Sequence, residues 1–147
     1  MNKEEFVKEV EKLGISVDDK ILKSLNTYYE MLIDYNSHTN LTRITDEEEV
    51  YLKHFYDSIT ISKVIDLNNK ATLLDFGTGA GFPGIVLKIM FPNLKVTLVD
   101  SLNKRIIFLK SVIEKLNLKG INAIHERIED YAKISRESFD IVTSRAV

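Results

Sequence analysis

Apolar residues recur at helical spacing through the first third of the chain. Between Asn2 and Leu13 the positions Phe6, Val7, Val10 and Leu13 share one face, with Asn2 as N-cap, Glu5 completing a capping box and Gly14 as the stop. A second helix is predicted from Asp18 to Tyr35, striped by Ile21, Leu22, Leu25, Tyr28, Tyr29, Leu32 and Ile33. A polar break, Asn36 to Arg43, follows. Thr45 with Glu48 then gives another capping-box signal, and the acidic run Asp46 to Glu49 suits the positive end of the helix it opens. That helix should extend through Val50, Phe55 and Ile59 toward Val64, before a linker at Asp66 to Lys70.

Beyond Lys70 the pattern changes to short β-type runs at Thr72–Phe76, Lys95–Asp100, Ile121–His125 and Phe139–Ser144. Helical stretches separate them at Pro83–Met90 and Asn103–Leu118, with a short turn near Glu129–Lys133. Strands alternating with helices predict a parallel sheet, hence an α/β fold. The chain is expected to divide into an N-terminal helical lobe, 1–66, and a partial cofactor-binding α/β domain, 67–147.

Composition narrows the function classes. A hydrophobic fraction of 44% and a charged fraction of 29% suit a folded globular chain. With 20 basic against 22 acidic residues there is no global basic field, which leaves only a local basic face for nucleic acid. The absence of cysteine excludes disulfides, thiolate metal sites and a cysteine nucleophile. His38, His54 and His125 lack metal-ligand spacing, so no metal is expected. A charged N-terminus and the lack of a long apolar run predict neither signal peptide nor membrane span, and a cytoplasmic location.

The densest chemical signal is Asp75-Phe76-Gly77-Thr78-Gly79-Ala80-Gly81-Phe82-Pro83-Gly84, closing a strand and opening a helix at Pro83. In the dinucleotide fingerprint Gly-x-Gly-x-x-Gly the third glycine would stand where this chain has Phe82. A pyrophosphate also disfavours a nearby carboxylate, whereas Asp75 would welcome a cationic group such as the methionine ammonium of S-adenosylmethionine. Asp100 ends the next strand, 21 residues after Gly79, where an acid can accept hydrogen bonds from a ribose diol or can simply cap the following helix. After the third strand, the backbone of Ile128 and the carboxylate of Glu129 could face an adenine, although an acid there also suits a helix start. Arg145 stands at the carboxyl edge of the sheet, to stack on a base, bind a phosphate or form a structural ion pair. The Asn-Pro-Pro-Tyr sequence of amino-group methyltransferases is absent, and without cysteine C5 methylation of cytosine by covalent attack is disfavoured.

Taken together, Asn40-Leu41-Thr42-Arg43-Ile44, His54-Phe55-Tyr56-Asp57-Ser58, Asp75 through Gly84, Leu98 through Arg105 and Thr143-Ser144-Arg145-Ala146-Val147 occur in the order and spacing of a known family. The chain resembles the bacterial 16S ribosomal RNA guanine-N7 methyltransferases, also called glucose-inhibited division protein B. The resemblance implies a Rossmann-like S-adenosylmethionine-dependent methyltransferase fold, with the cofactor bound by Gly77 and Phe82, by Ile128 and Glu129, and by Arg145. Ile128 stands where such sequences often have alanine, and Phe76 where they have a smaller aliphatic residue. Such proteins continue beyond the last shared motif, so a C-terminally incomplete fold with an exposed fourth strand is expected. The implied substrate is 16S ribosomal RNA or a small-subunit precursor. Arg43, Lys53, Lys104 and Arg105 are candidate phosphate contacts, or members of a solvated charged face. No catalytic side chain is assigned, because guanine N7 carries a free lone pair. Two other classes stay open: a NAD(P)-linked oxidoreductase and a non-catalytic interaction module.

Overall fold

The structure, a computed structural model, describes residues 1–127, 129 and 138–144. Helix α1 (Lys3–Lys12) begins with the expected capping box: Glu5 N–H donates to Asn2 Oδ1 at 2.9 Å, and Asn2 N–H donates back to Glu5 Oε1 at 3.4 Å. Helix α2 (Asp19–Asn36) is capped by Asp18, whose carboxylate accepts from Ile21 N–H at 2.7 Å. The third start differs from expectation. Asp46, not Thr45, caps α3 (Glu47–Val50), accepting from Glu49 N–H at 3.2 Å, while the Thr45 carbonyl accepts from Tyr29 Oη–H.

The helix beyond α3 is continuous but irregular. A π-helical turn at Tyr51–Tyr56 leads into α4 (Asp57–Ile59) and a 3₁₀ turn at Thr60–Lys63. The wider π turn directs Tyr51, His54 and Phe55 inward together, so all three are buried.

The sheet follows the predicted order of elements: β1 (Thr72–Phe76), α5 (Gly84–Met90), β2 (Lys95–Asp100), α6 (Asn103–Lys115), β3 (Ile121–His125) and β4 (Ile141–Ser144). All described pairings are parallel, in the order β3-β2-β1-β4, with Asp75 registered between Leu98 and Thr143. Helix α5 begins at Gly84, with Pro83 as its N-cap, and α6 ends three residues before the expected Leu118. Of the turn expected at Glu129–Lys133, only Glu129 is described.

One core joins the helices to the sheet, running from Phe6 and Val10 through Tyr28, Phe55 and Ile85 to Phe108 and Val112. Every residue of α5 is buried because this helix lies between β1 and β2 on one side and α2 and α4 on the other. Lys88, within α5, donates from Nζ to the carbonyls of Pro92 and Leu94 and so closes the turn into β2; burial holds its ammonium below the usual lysine range. On the opposite face of the sheet Leu74, Phe76 and Val99 form a smaller cluster with Ile124 and Phe139.

The Tyr51 hydroxyl is buried without a hydrogen-bond partner among the described residues, and burial pushes its ionisation well above the usual phenol range. A buried unpaired hydroxyl carries a desolvation penalty of about 1–3 kcal/mol. Tyr51→Phe is therefore expected to stabilise the protein by about 1 kcal/mol and raise its melting temperature by about 2–5 °C. A lower melting temperature would show that the hydroxyl has a partner.

Candidate functional site

The glycine-rich loop leaves β1 in the middle of the sheet, at the carboxyl end, with β2 on one side and β4 on the other. Ligands of open α/β sheets bind at such a strand-order reversal. The loop is fastened from three directions. Beneath it, the fully buried Asp75 accepts at Oδ2 from Thr78 Oγ1 at 2.7 Å and from Gly84 N–H at 3.0 Å, while Thr143 Oγ1 donates to Oδ1 at 3.2 Å. At its flank Asp100, 1% exposed, accepts from Gly79 N–H at 2.9 Å. From the helical side, Tyr28 Oη–H donates to the Ala80 carbonyl, and the Phe82 ring lies on His54 with centroids 4.2 Å apart and planes 6° from parallel. His54 Nε2 in turn bonds Thr42 Oγ1 at 3.1 Å.

Glycine is required here for two reasons. Gly84 is helical, but a Cβ on it would lie 2.2 Å from Leu98 Cδ2 and 2.9 Å from Asp75 Oδ2, so close approach of backbone to sheet demands it. Gly79 has φ +60°, yet a Cβ there would meet nothing within 4 Å. With Gly77 it forms the half-exposed, open edge of an otherwise buried loop.

The loop's hydrogen bonds restrict what it can hold. The N–H groups of Thr78, Gly79, Gly81, Phe82 and Gly84 all donate within the protein, to Val99 O, Asp100, Thr78 O (from both Gly81 and Phe82) and Asp75 respectively. A pyrophosphate cradle needs such groups free. This loop instead commits those five N–H groups within the protein, two of them to the carboxylates of Asp100 and Asp75.

Residues 21–147 match the family described as GidB, rRNA small subunit methyltransferase G. The chain belongs to this family. It is 52% identical, over its whole length, to the ribosomal RNA small subunit methyltransferase G of Staphylococcus carnosus (strain TM300), and 50% identical, again over its whole length, to that of Bacillus subtilis (strain 168). It spans 62% of the length of each of those two relatives. Among solved structures, a protein-L-isoaspartate O-methyltransferase aligns with 97% of this chain and 47% of its own at a TM-score of 0.65 and 16% identity. The counterpart from Plasmodium falciparum, in complex with S-adenosyl-L-homocysteine, aligns with 99% of this chain and 74% of its own at a TM-score of 0.55 and 14% identity. At those identities the likeness is one of fold: the sheet is that of the Rossmann-like methyltransferases.

In this GidB-family chain the structure brings Gly77, Gly79 and Asp100 together at the open edge. The segment after β3 starts beside them, since Glu126 N–H donates to the Asp100 carbonyl at 3.1 Å; Glu129, three residues on, is exposed. One expectation needs correction, and two other candidates gain detail. Asp75 does not present a carboxylate to the loop's open side; it is buried and braces Thr78 and Gly84 from below. Phe82 directs its ring away from that side, into the aromatic cluster of Tyr28, His54 and Phe55, so only its backbone borders the loop. Arg105, whose side chain is 30% exposed, lies with its guanidinium 3.4 Å from Asp100. Arg43, Lys53 and Lys104 are exposed, Lys53 lying 3.8 Å from Glu49. Ile128 and Arg145 lie outside the described residues.

Thr78, Gly84 and Tyr28 were not singled out from sequence as parts of this site. Gly84 stands at the end of the glycine run and Thr78 inside it, which is a usable signal; Tyr28 is 52 residues from its partner Ala80 and carries none.

Proposed function

We propose that the chain is the cofactor-binding part of an S-adenosylmethionine-dependent methyltransferase that modifies N7 of a guanine in 16S ribosomal RNA, in the cytoplasm. The observation that carries the cofactor reading is the loop itself: braced by Asp75 and Asp100, with the N–H groups of Thr78, Gly79, Gly81, Phe82 and Gly84 committed internally and an open edge at Gly77 and Gly79. The fit is favourable, since the space a Cβ would fill at Gly79 is empty and Asp100 stands beside it to receive a ribose. Membership of the GidB family and the names of its relatives support ribosomal RNA as substrate; the guanine N7 position rests on the resemblance of the sequence motifs.

When bound, S-adenosylmethionine supplies an electrophilic methyl group on a sulfonium. Guanine N7 offers an in-plane lone pair without a proton to remove, so the chain need not furnish a general base. Its task is alignment, with Gly77 and Gly79 allowing close approach and Asp100 fixing the ribose, within an electrostatic setting that tolerates a positive charge passing to the base. Among the described residues there is no group of three potential metal ligands and no helix long and apolar enough to cross a membrane.

Calorimetric titration with S-adenosylhomocysteine and, separately, NADH tests this reading. Saturable binding of the first, with none of the second, is expected. NADH binding would favour the oxidoreductase class, and binding of neither by folded protein would favour an interaction module.

A further inference from the structure

Asp100 is the acid at the end of β2, and the immediate surroundings of its carboxylate are unusual. A carboxylate has about four lone-pair sites. Two are filled by firm backbone bonds: Gly79 N–H donates to Oδ2 at 2.9 Å and Leu102 N–H to Oδ1 at 3.0 Å. That leaves one site on each oxygen, and Arg105 Nη1 lies across both, 3.4 Å from each. Contacts of that length, shared between two acceptors, are weak for a guanidinium, which normally meets a carboxylate with two parallel, shorter bonds.

The arginine is also poorly accommodated at its other end. Its Nε is buried and has no hydrogen-bond partner among the described residues, although the side chain as a whole is 30% exposed. An unpaired buried donor opposes the placement, and the exposed part leaves the side chain room to swing outward. Meanwhile Asp100 is 1% exposed, and Arg105 Nη1 is the group that lies against both of its remaining lone-pair sites among the described residues. One site on each oxygen, side by side, is what the two hydroxyls of a vicinal diol require.

From this we infer that Arg105 is a placeholder for the ribose diol: a positioning residue that holds the Asp100 carboxylate and yields it to the cofactor. The inference rests on the cofactor reading above. It makes Arg105 a competitor of the ligand it helps to prepare for, and so its removal acts on affinity in the direction opposite to that of an ordinary site residue.

The test is calorimetric titration of the wild-type protein and Arg105→Met with S-adenosylhomocysteine and with its 2′,3′-dideoxy counterpart, which has no diol to offer Asp100. A partly exposed ion pair at long range is worth little, so Arg105→Met is expected to gain about 3–10-fold in affinity for S-adenosylhomocysteine. No gain is expected for the dideoxy compound, and Arg105→Lys should lie between wild type and Arg105→Met. Weaker or unchanged binding of S-adenosylhomocysteine by Arg105→Met, with wild-type binding intact, would overturn the placeholder while leaving the cofactor reading standing. Absence of binding by the wild-type protein would remove both. Should Arg105→Met not fold, the wild-type protein carries the same test: added salt screens the pair, so the preference for S-adenosylhomocysteine over the dideoxy compound should rise with ionic strength, and a preference that falls or stays flat would overturn the proposal.

Discussion

Gly79→Val is expected to lower affinity for S-adenosylhomocysteine by about 100-fold or more, equivalent to about 2.7 kcal/mol, while the empty protein loses only about 1–3 kcal/mol of stability. The two effects have different origins. Gly79 has φ +60°, which a β-branched residue adopts with strain, and that strain is the stability term. The added atoms themselves meet nothing within 4 Å, so the empty protein has room for them. That room is the open edge of the loop, and a valine side chain would stand where a ligand must come into contact. Calorimetric titration beside thermal melting separates the terms, and unchanged affinity in a folded variant would mean that the ligand approaches from another side. Gly84 gives the contrast: its missing Cβ faces Leu98 and Asp75, so it serves packing between loop and sheet and does not line an open space.

The difference between these two glycines shows how far the sequence could be read. The run Asp75 through Gly84 identified the loop, its place after the first strand and its mismatch with a dinucleotide fingerprint, because those follow from local spacing. Asp100 was legible for the same reason, as an acid at a fixed offset ending the next strand. What lay beyond reach was direction. Sequence spacing says that a carboxylate precedes the loop; it does not say that the carboxylate is beneath it, where Thr78 Oγ1 and Gly84 N–H converge on one oxygen. Phe82 entered as a cofactor contact only through the family resemblance, and spacing gives no sign that its ring meets His54 and Tyr28, which belong to helical segments distant in sequence. The π turn at Tyr51–Tyr56 also escaped notice, since Tyr51, Phe55 and Ile59 satisfy an ordinary helical period and only tertiary packing widens the turn. Helix starts showed a milder form of the same limit: Asn2 caps as read and Asp18, read as the first residue of the second helix, caps it, whereas two adjacent acceptors, Thr45 and Asp46, competed and the carboxylate prevailed.

Asp75 offers the sharpest test of that directional correction. If its carboxylate is a strut, Asp75→Ala strips Gly84 N–H and the hydroxyls of Thr78 and Thr143 of a buried acceptor at once. A loss of about 3–5 kcal/mol is expected, seen as a fall in melting temperature of about 10 °C or more in the empty protein. Asp75→Asn should behave differently. Its amide oxygen can still accept from Thr78 and Gly84, and its amide nitrogen can face Thr143 Oγ, a hydroxyl able to turn and accept. The loop would then keep its brace without the charge, at a cost of about 1 kcal/mol, and affinity for S-adenosylhomocysteine should stay within about threefold of wild type. A direct partner of the ligand's ammonium predicts the reverse for Asp75→Asn: stability nearly unchanged, affinity down by about tenfold or more, because the lost charge would matter only when the ligand is present. Melting curves and titrations of the two variants therefore decide whether this carboxylate acts on the ligand or on the loop that receives it.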